Sequence, residues 1–253
     1  MTVKELYEKI CDRIPEHLAC EWDNDGIMSS PDLSAEVSSA LIALDVTEEI
    51  VDYAISRKFD LIISHHPLIF KPIDSVTEEN HITRKVIKLL SNNVSVFSFH
   101  TRADKVTGGV NDLLADAIGL VDTEPFGEEG LGRIGNLPEE TALEEFCNDV
   151  KISLEADGVR FADAYNPVKR VAVVGGDGKD FVKDAVLAGA DTYLSGRIGY
   201  NVMEEAAEMG INLVEAGHYF TEYPVCEFFA SLVTSLDENV RVEIANSNMI
   251  RLV

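Results

Sequence analysis

The chain is short of positive charge, of cysteine and of long apolar runs. Against 45 acidic residues stand only 21 lysines and arginines, a formal net charge of -24. That field repels phosphate backbones at long range and argues against a nucleic-acid-binding module. A phosphorylated small molecule stays open, because a divalent cation can reverse the potential locally. Cys11, Cys20, Cys147 and Cys226 lie scattered through 253 residues without a metal spacing, so a disulfide framework is not expected. No stretch of about 18 uncharged apolar residues is present, which disfavours a membrane span. The opening Met1-Thr2-Val3-Lys4-Glu5-Leu6 has no basic segment followed by an apolar one, so no signal peptide is read and a cytoplasmic location is expected.

What is present is ordinary for a soluble globular protein, with 46% apolar and 26% charged residues, enough for one large core or two smaller ones. Apolar residues at Leu6, Ile10 and Ile14 predict an amphipathic helix that Pro15 ends. Strands are predicted at Val37–Leu44, Leu61–Ser64 and Val94–Phe99, with helices between them capped or patterned around Thr47–Arg57 and Ile82–Leu90. This strand-helix-strand spacing suits parallel pairing, and the continuously apolar Leu61-Ile62-Ile63 reads as a strand buried on both faces. A helix fits Gly109–Ile118. The Gly- and acid-rich Val121–Asn136 reads as a domain boundary, and beyond it strand-loop-helix units recur up to Ile211–Glu215. The expected architecture is α/β: a first domain over residues 1–125, which residues 216–253 can complete, and a second over 126–215.

The chemistry concentrates at the strand ends. Leu61–Ser64 runs into His65-His66-Pro67, and adjacent residues of an extended chain point to opposite faces, so the two imidazoles can share a site only if the backbone bends where Pro67 restricts it. Val94–Phe99 ends in His100-Thr101-Arg102-Ala103-Asp104. Open parallel sheets place ligands at that edge. His218 and Glu222, four residues apart, share a helix face if Gly217–Glu222 opens a helix. If His65, His66, Asp104, His218 and Glu222 converge, the inventory exceeds the three protein ligands of a single catalytic zinc and fits two divalent ions that hold and acidify a water. His100 stands beside this set as a group that orients Asp104, contacts substrate or simply bonds near a strand end. Asp45 has a similar choice between supporting a ligand and starting a helix. The loop Glu21-Trp22-Asp23-Asn24-Asp25-Gly26 reads either as a plain turn or as a loop that lines a cleft with Trp22 as its apolar anchor, and Gly175-Gly176-Asp177-Gly178 is a tight turn or a weak phosphate cradle.

These ordered segments, together with Trp22-Asp23-Asn24 and Gly26, resemble the NIF3-like family, the GTP cyclohydrolase type 2 homologues, over nearly the whole chain. The resemblance implies two α/β domains with a metal site at their interface, where His65, His66, Asp104, His218 and Glu222 ligate two divalent ions such as Zn, Fe or Mn. It also implies a homohexamer. The activity it implies is that of a metal-dependent hydrolase or GTP cyclohydrolase, with a nucleotide or other small-molecule substrate and with Glu222 and His100 as the catalytic candidates. The other reading is a non-catalytic, metal-dependent binding or regulatory protein. The stretch Ser195-Gly196-Arg197-Ile198-Gly199-Tyr200-Asn201 departs from the family pattern at Arg197 and Asn201.

Overall fold

A computed structural model describes residues 1–252, the side chain of Glu128 excepted. The chain begins with α1 (Val3–Cys11), whose Thr2 and Glu5 form a reciprocal capping box, and continues through β1 (Gly26–Ser29), β2 (Ser39–Ala43), α2 (Glu48–Ser56), β3 (Leu61–Ser64), α3 (His81–Ser91), β4 (Ser95–Ser98) and α4 (Thr101–Lys105). It then builds α5 (Val110–Ala117), β5 (Val121–Phe126), β6 (Gly132–Thr141), α6 (Leu143–Ser153), β7 (Arg160–Ala162), β8 (Val168–Asp177), α7 (Val182–Leu187), β9 (Thr192–Arg197), α8 (Tyr200–Glu208), β10 (Asn212–Glu215) and α9 (His218–Glu222). It closes with α10 (Val225–Leu236) and β11 (Arg241–Ile244). Among the described residues, no helix is long and apolar enough to cross a membrane.

Two compact units result. Of the described residues, the first comprises 1–106 and 225–249, the second 107–224 and 250–252. The sequence pattern alone would divide the chain at 125/126 and 215/216. The folded chain instead groups α5, β5 and α9 with the second unit, because α5 lies against β6 and β8 while α9 lies against β8 and β9. The first unit is a five-stranded sheet ordered β1-β4-β3-β2-β11. Its β11, β2, β3 and β4 run parallel and only the edge strand β1 is antiparallel. Every residue of β2, β3 and β4 is buried, as two-face coverage requires. The last strand thus returns to the first sheet.

The second unit is a six-stranded sheet ordered β5-β6-β8-β9-β10-β7, in which β8, β9 and β10 are parallel and the outer pairings antiparallel. Residues 121–136, expected as a domain boundary, include β5 and the first half of β6. Composition hid them because β5 is an edge strand, exposed from Val121 to Pro125, and an edge is held by its backbone ladder more than by an apolar stripe. The helical stretch that opens at Gly217 does not continue unbroken: α9 and α10 are separate helices, interrupted around Tyr223 and Pro224.

Asp60 shows how the first sheet is registered. Its Oδ2 accepts from the backbone amides of Ser38 (2.9 Å) and Ser39 (3.0 Å) and from both hydroxyls (2.7 and 2.9 Å). Burial pushes this carboxyl up, but those four donors outweigh it and hold its pKa below the ordinary 3.8. The stabilisation is therefore present above the unfolded value and is lost as pH falls through the folded one. Asp60→Asn is expected to cost about 1–2 kcal/mol at neutral pH, discounted for partial exposure. In urea unfolding, that difference should shrink once the pH is taken below about 4.

Candidate metal centre

The parallel register builds the first half of the site. Ala43, Ser64 and Ser98 are paired across β2, β3 and β4, so the chain leaves all three strands side by side. Asp45 follows β2, His65 follows β3 and His100 follows β4, which brings three polar residues to one sheet edge. The bend expected at the doublet is present: the Ser64 hydroxyl donates to the carbonyl of His66 at 2.9 Å and lies 2.8 Å from the Ser98 hydroxyl. The rings of His65 and His66 end 5.0 Å apart, and His100 lies 5.3 Å from His65 and 5.8 Å from His66. A ligand atom from each lies within 4.8 Å of the others.

Each imidazole is held by its Nδ1. That of His65, a fully buried ring, is 3.0 Å from the carbonyl of Phe99. That of His66 is 2.7 Å from Asp45 Oδ1, and that of His100 is 2.8 Å from Asp23 Oδ1. A carbonyl or carboxylate oxygen can only accept, so Nδ1 donates in all three and Nε2 becomes the coordinating position of the neutral ring. Metal-ligating histidines are oriented in this way. Asp104, projecting from α4, places Oδ1 3.6 Å from His65 Nε2 and adds an oxygen donor to the same group.

Asp23 anchors this group from the far end of the chain. Besides His100 it accepts from the Thr101 amide (2.9 Å) and hydroxyl (2.6 Å). Burial raises its pKa, but the His100 bond and charge and the Thr101 donors reverse that and hold it well below the carboxylate range. Burial pushes His100 down, while Asp23 and the nearby Asp104 carboxylate more than offset this and raise it above its ordinary value. Sequence reasoning placed Asp23 in a turn or a cleft-lining loop and in a segment that carries the family resemblance, with no role assigned to it. The signal for its bond to His100 was its presence in the Trp22-Asp23-Asn24 segment. Asp45, weighed as a supporting residue, does support His66, and Ser247 ties it in turn through its hydroxyl, 3.3 Å from Asp45 Oδ2.

The second unit carries the other two donors. Gly217, at a φ of +89°, opens α9, and the i,i+4 spacing sets His218 Nε2 3.0 Å from Glu222 Oε2. The Gly175–Gly178 loop packs behind them. Its three glycine amides are committed to side chains: Gly175 donates to Asn111 (2.8 Å), Gly176 to Thr221 (3.1 Å) and Gly178 to Ser195 (3.0 Å). The loop is thus a tight support for α9, not a phosphate cradle.

With three Nδ1-anchored imidazoles and a carboxylate in the first unit, and an imidazole-carboxylate pair in the second, each unit of this α/β protein carries nitrogen and oxygen donors suited to a divalent metal. The chain belongs to the Duf34/NIF3 (NGG1p interacting factor 3) family, whose profile matches residues 1–251. It is 35% identical over 232 residues to a GTP cyclohydrolase 1 type 2 homolog of Clostridium perfringens, covering 89% of this chain and 88% of that one. Staphylococcus aureus hypothetical protein SA1388 has a similar crystal structure, with a TM-score of 0.91, 27% identity and coverage of 100% and 99%. So does reduced HcgD from Methanocaldococcus jannaschii, with a TM-score of 0.85, 30% identity and coverage of 96% and 97%.

Proposed function

We propose that this chain is a metal-dependent hydrolase acting on a nucleotide, with His65, His66, Asp104, His218 and Glu222 as ligands of two divalent ions, Zn, Fe or Mn. The observation that carries the reading is the Nδ1 anchoring of His65 and His66, which directs their other nitrogens to coordination. Divalent ions bound there supply Lewis acidity and lower the pKa of water. Glu222, with two carboxylate oxygens, is the ligand suited to bridging. His100, oriented by Asp23, is the proton-transfer group. Its ring is one of three, and two imidazoles with carboxylates already provide a donor set without it. The nucleotide follows from the GTP cyclohydrolase name carried by the relatives. The same reading takes the protein to be a cytoplasmic homohexamer, which sedimentation would test.

Elemental analysis of purified protein should find two divalent ions per chain, with at least one lost in His65→Ala and in Glu222→Gln. Metal-loaded protein should turn over GTP. His100→Ala should retain metal and lose about a hundredfold in turnover, whereas Asp104→Asn, which removes a ligand, should lose more metal affinity than the roughly 10- to 100-fold typical of a supporting residue. Bound metal and bound GTP without turnover would make the chain a metal-dependent binding or regulatory protein instead.

A further inference from the structure

The only tryptophan of the chain is poorly covered: Trp22 is 64% exposed. A turn of Asp, Asn and Gly has no need of an indole, and this turn is pinned on every side. Cys20 donates its amide to the Thr101 hydroxyl at 2.9 Å, Asp23 donates its amide to the Cys20 carbonyl at 3.0 Å, and the Asp23 side chain holds His100 and Thr101. Asn24 Nδ2 donates to the carbonyl of Ile69, which ties the turn to the loop that carries Phe70, itself 42% exposed. The chain therefore anchors the segments that carry two large aromatic side chains while leaving those side chains partly exposed.

Their geometry is that of a corner. Trp22 and Phe70 meet edge to face, with centroids 6.2 Å apart at 78°. Both meet His100 in the same manner, Trp22 at 6.1 Å and 79°, Phe70 at 6.0 Å and 86°. Three mutually steep rings let a planar guest stack on one while its edge meets the faces of the others. His100 belongs both to this corner and to the imidazole group, so a guest ring seated here lies beside the donors. Isolated exposed aromatics such as Tyr165, 91% exposed, need no such account.

We infer that Trp22 and Phe70 form the stacking surface for a planar heteroaromatic ring of the ligand, and so select bases over bare phosphate chains. The inference rests on the metal-dependent reading above and names its substrate class. A second copy of the chain is the competing occupant of the same surface.

Because Trp22 is alone, indole emission reports on this corner directly. Metal-loaded protein titrated with GTP should show quenching that saturates with binding. Inorganic tripolyphosphate, followed by calorimetry, should bind without changing the emission. Phe70→Ala and Trp22→Ala should weaken GTP about tenfold, within the range of stacking losses on alanine substitution, and leave tripolyphosphate affinity in place. Trp22→Phe should recover most of the GTP affinity.

Equal losses for GTP and tripolyphosphate, or no loss for either, would overturn the inference. So would emission that shifts with protein concentration and ignores GTP, which would assign Trp22 to contact between copies. Metal counting on the same samples separates the two readings. A sample with two ions and no ring discrimination rejects the stacking surface alone, whereas one without metal rejects the metal-dependent reading itself.

Discussion

Gly176→Ala is expected to fold and to lose metal affinity by about 10- to 100-fold, the range seen when support behind a ligand is removed. Gly176 has a φ of +66°, and a Cβ there would sit 2.1 Å from Glu222 Oε1 and 3.1 Å from His218 Nε2. Glu222 is 4% exposed, so its carboxylate cannot swing aside into solvent. Backbone strain alone would add about 1–2 kcal/mol of destabilisation. Gly189→Ala isolates that part, because Gly189 has a φ of +78° and nothing within 4 Å of an added Cβ. Gly176→Ala should lose more thermal stability than Gly189→Ala, by the cost of the contact with Glu222, and only Gly176→Ala should lose metal on dialysis. Equal metal retention in the two would show that the loop does not position Glu222.

The largest stability effect is expected at Arg102, whose side chain is fully buried. Its Nε donates to Asp25 Oδ2 at 2.9 Å, Nη1 to the carbonyl of Ile14 at 3.1 Å and Nη2 to the Tyr7 hydroxyl at 3.2 Å. The guanidinium also lies 4.6 Å from the Phe99 ring centre. Removing one partner of such a pair leaves the other charged in a low-dielectric interior, so Arg102→Ala should cost about 3–5 kcal/mol and Asp25→Ala a similar amount. Urea unfolding of the double variant Arg102→Ala with Asp25→Ala should come out well short of the sum, since neither charge is then stranded. Arg102 sits between His100 and Asp104 in sequence. Its loss should therefore also loosen α4, and metal content should fall before the midpoint of unfolding is reached.

Much of the first unit could be read locally. Leu61-Ile62-Ile63 announces a buried strand because every side chain is aliphatic, and Thr47 announces a helix start because its hydroxyl can take the Ile50 amide, as it does at 3.2 Å. His218 and Glu222 share a face by helical period alone. The short α4 and the edge strand β1 carry no comparable pattern. Five residues of α4 are too few to show a helical period, and β1 begins at Gly26 inside what composition marks as a turn. The bond from His100 to Asp23 crosses 77 residues, and no local rule links them.

The order of residues by itself determined that β-α-β units form and that histidines and acids stand at strand and helix ends, since these follow from apolar period and donor chemistry over a few neighbouring positions. Tertiary structure alone decided which nitrogen of each imidazole is committed, that the glycine loop spends its amides on Asn111, Thr221 and Ser195, and that an indole stays uncovered beside His100. Those outcomes depend on directional hydrogen bonds and steric contact between distant segments, which exist only once parallel register has set the strand ends side by side.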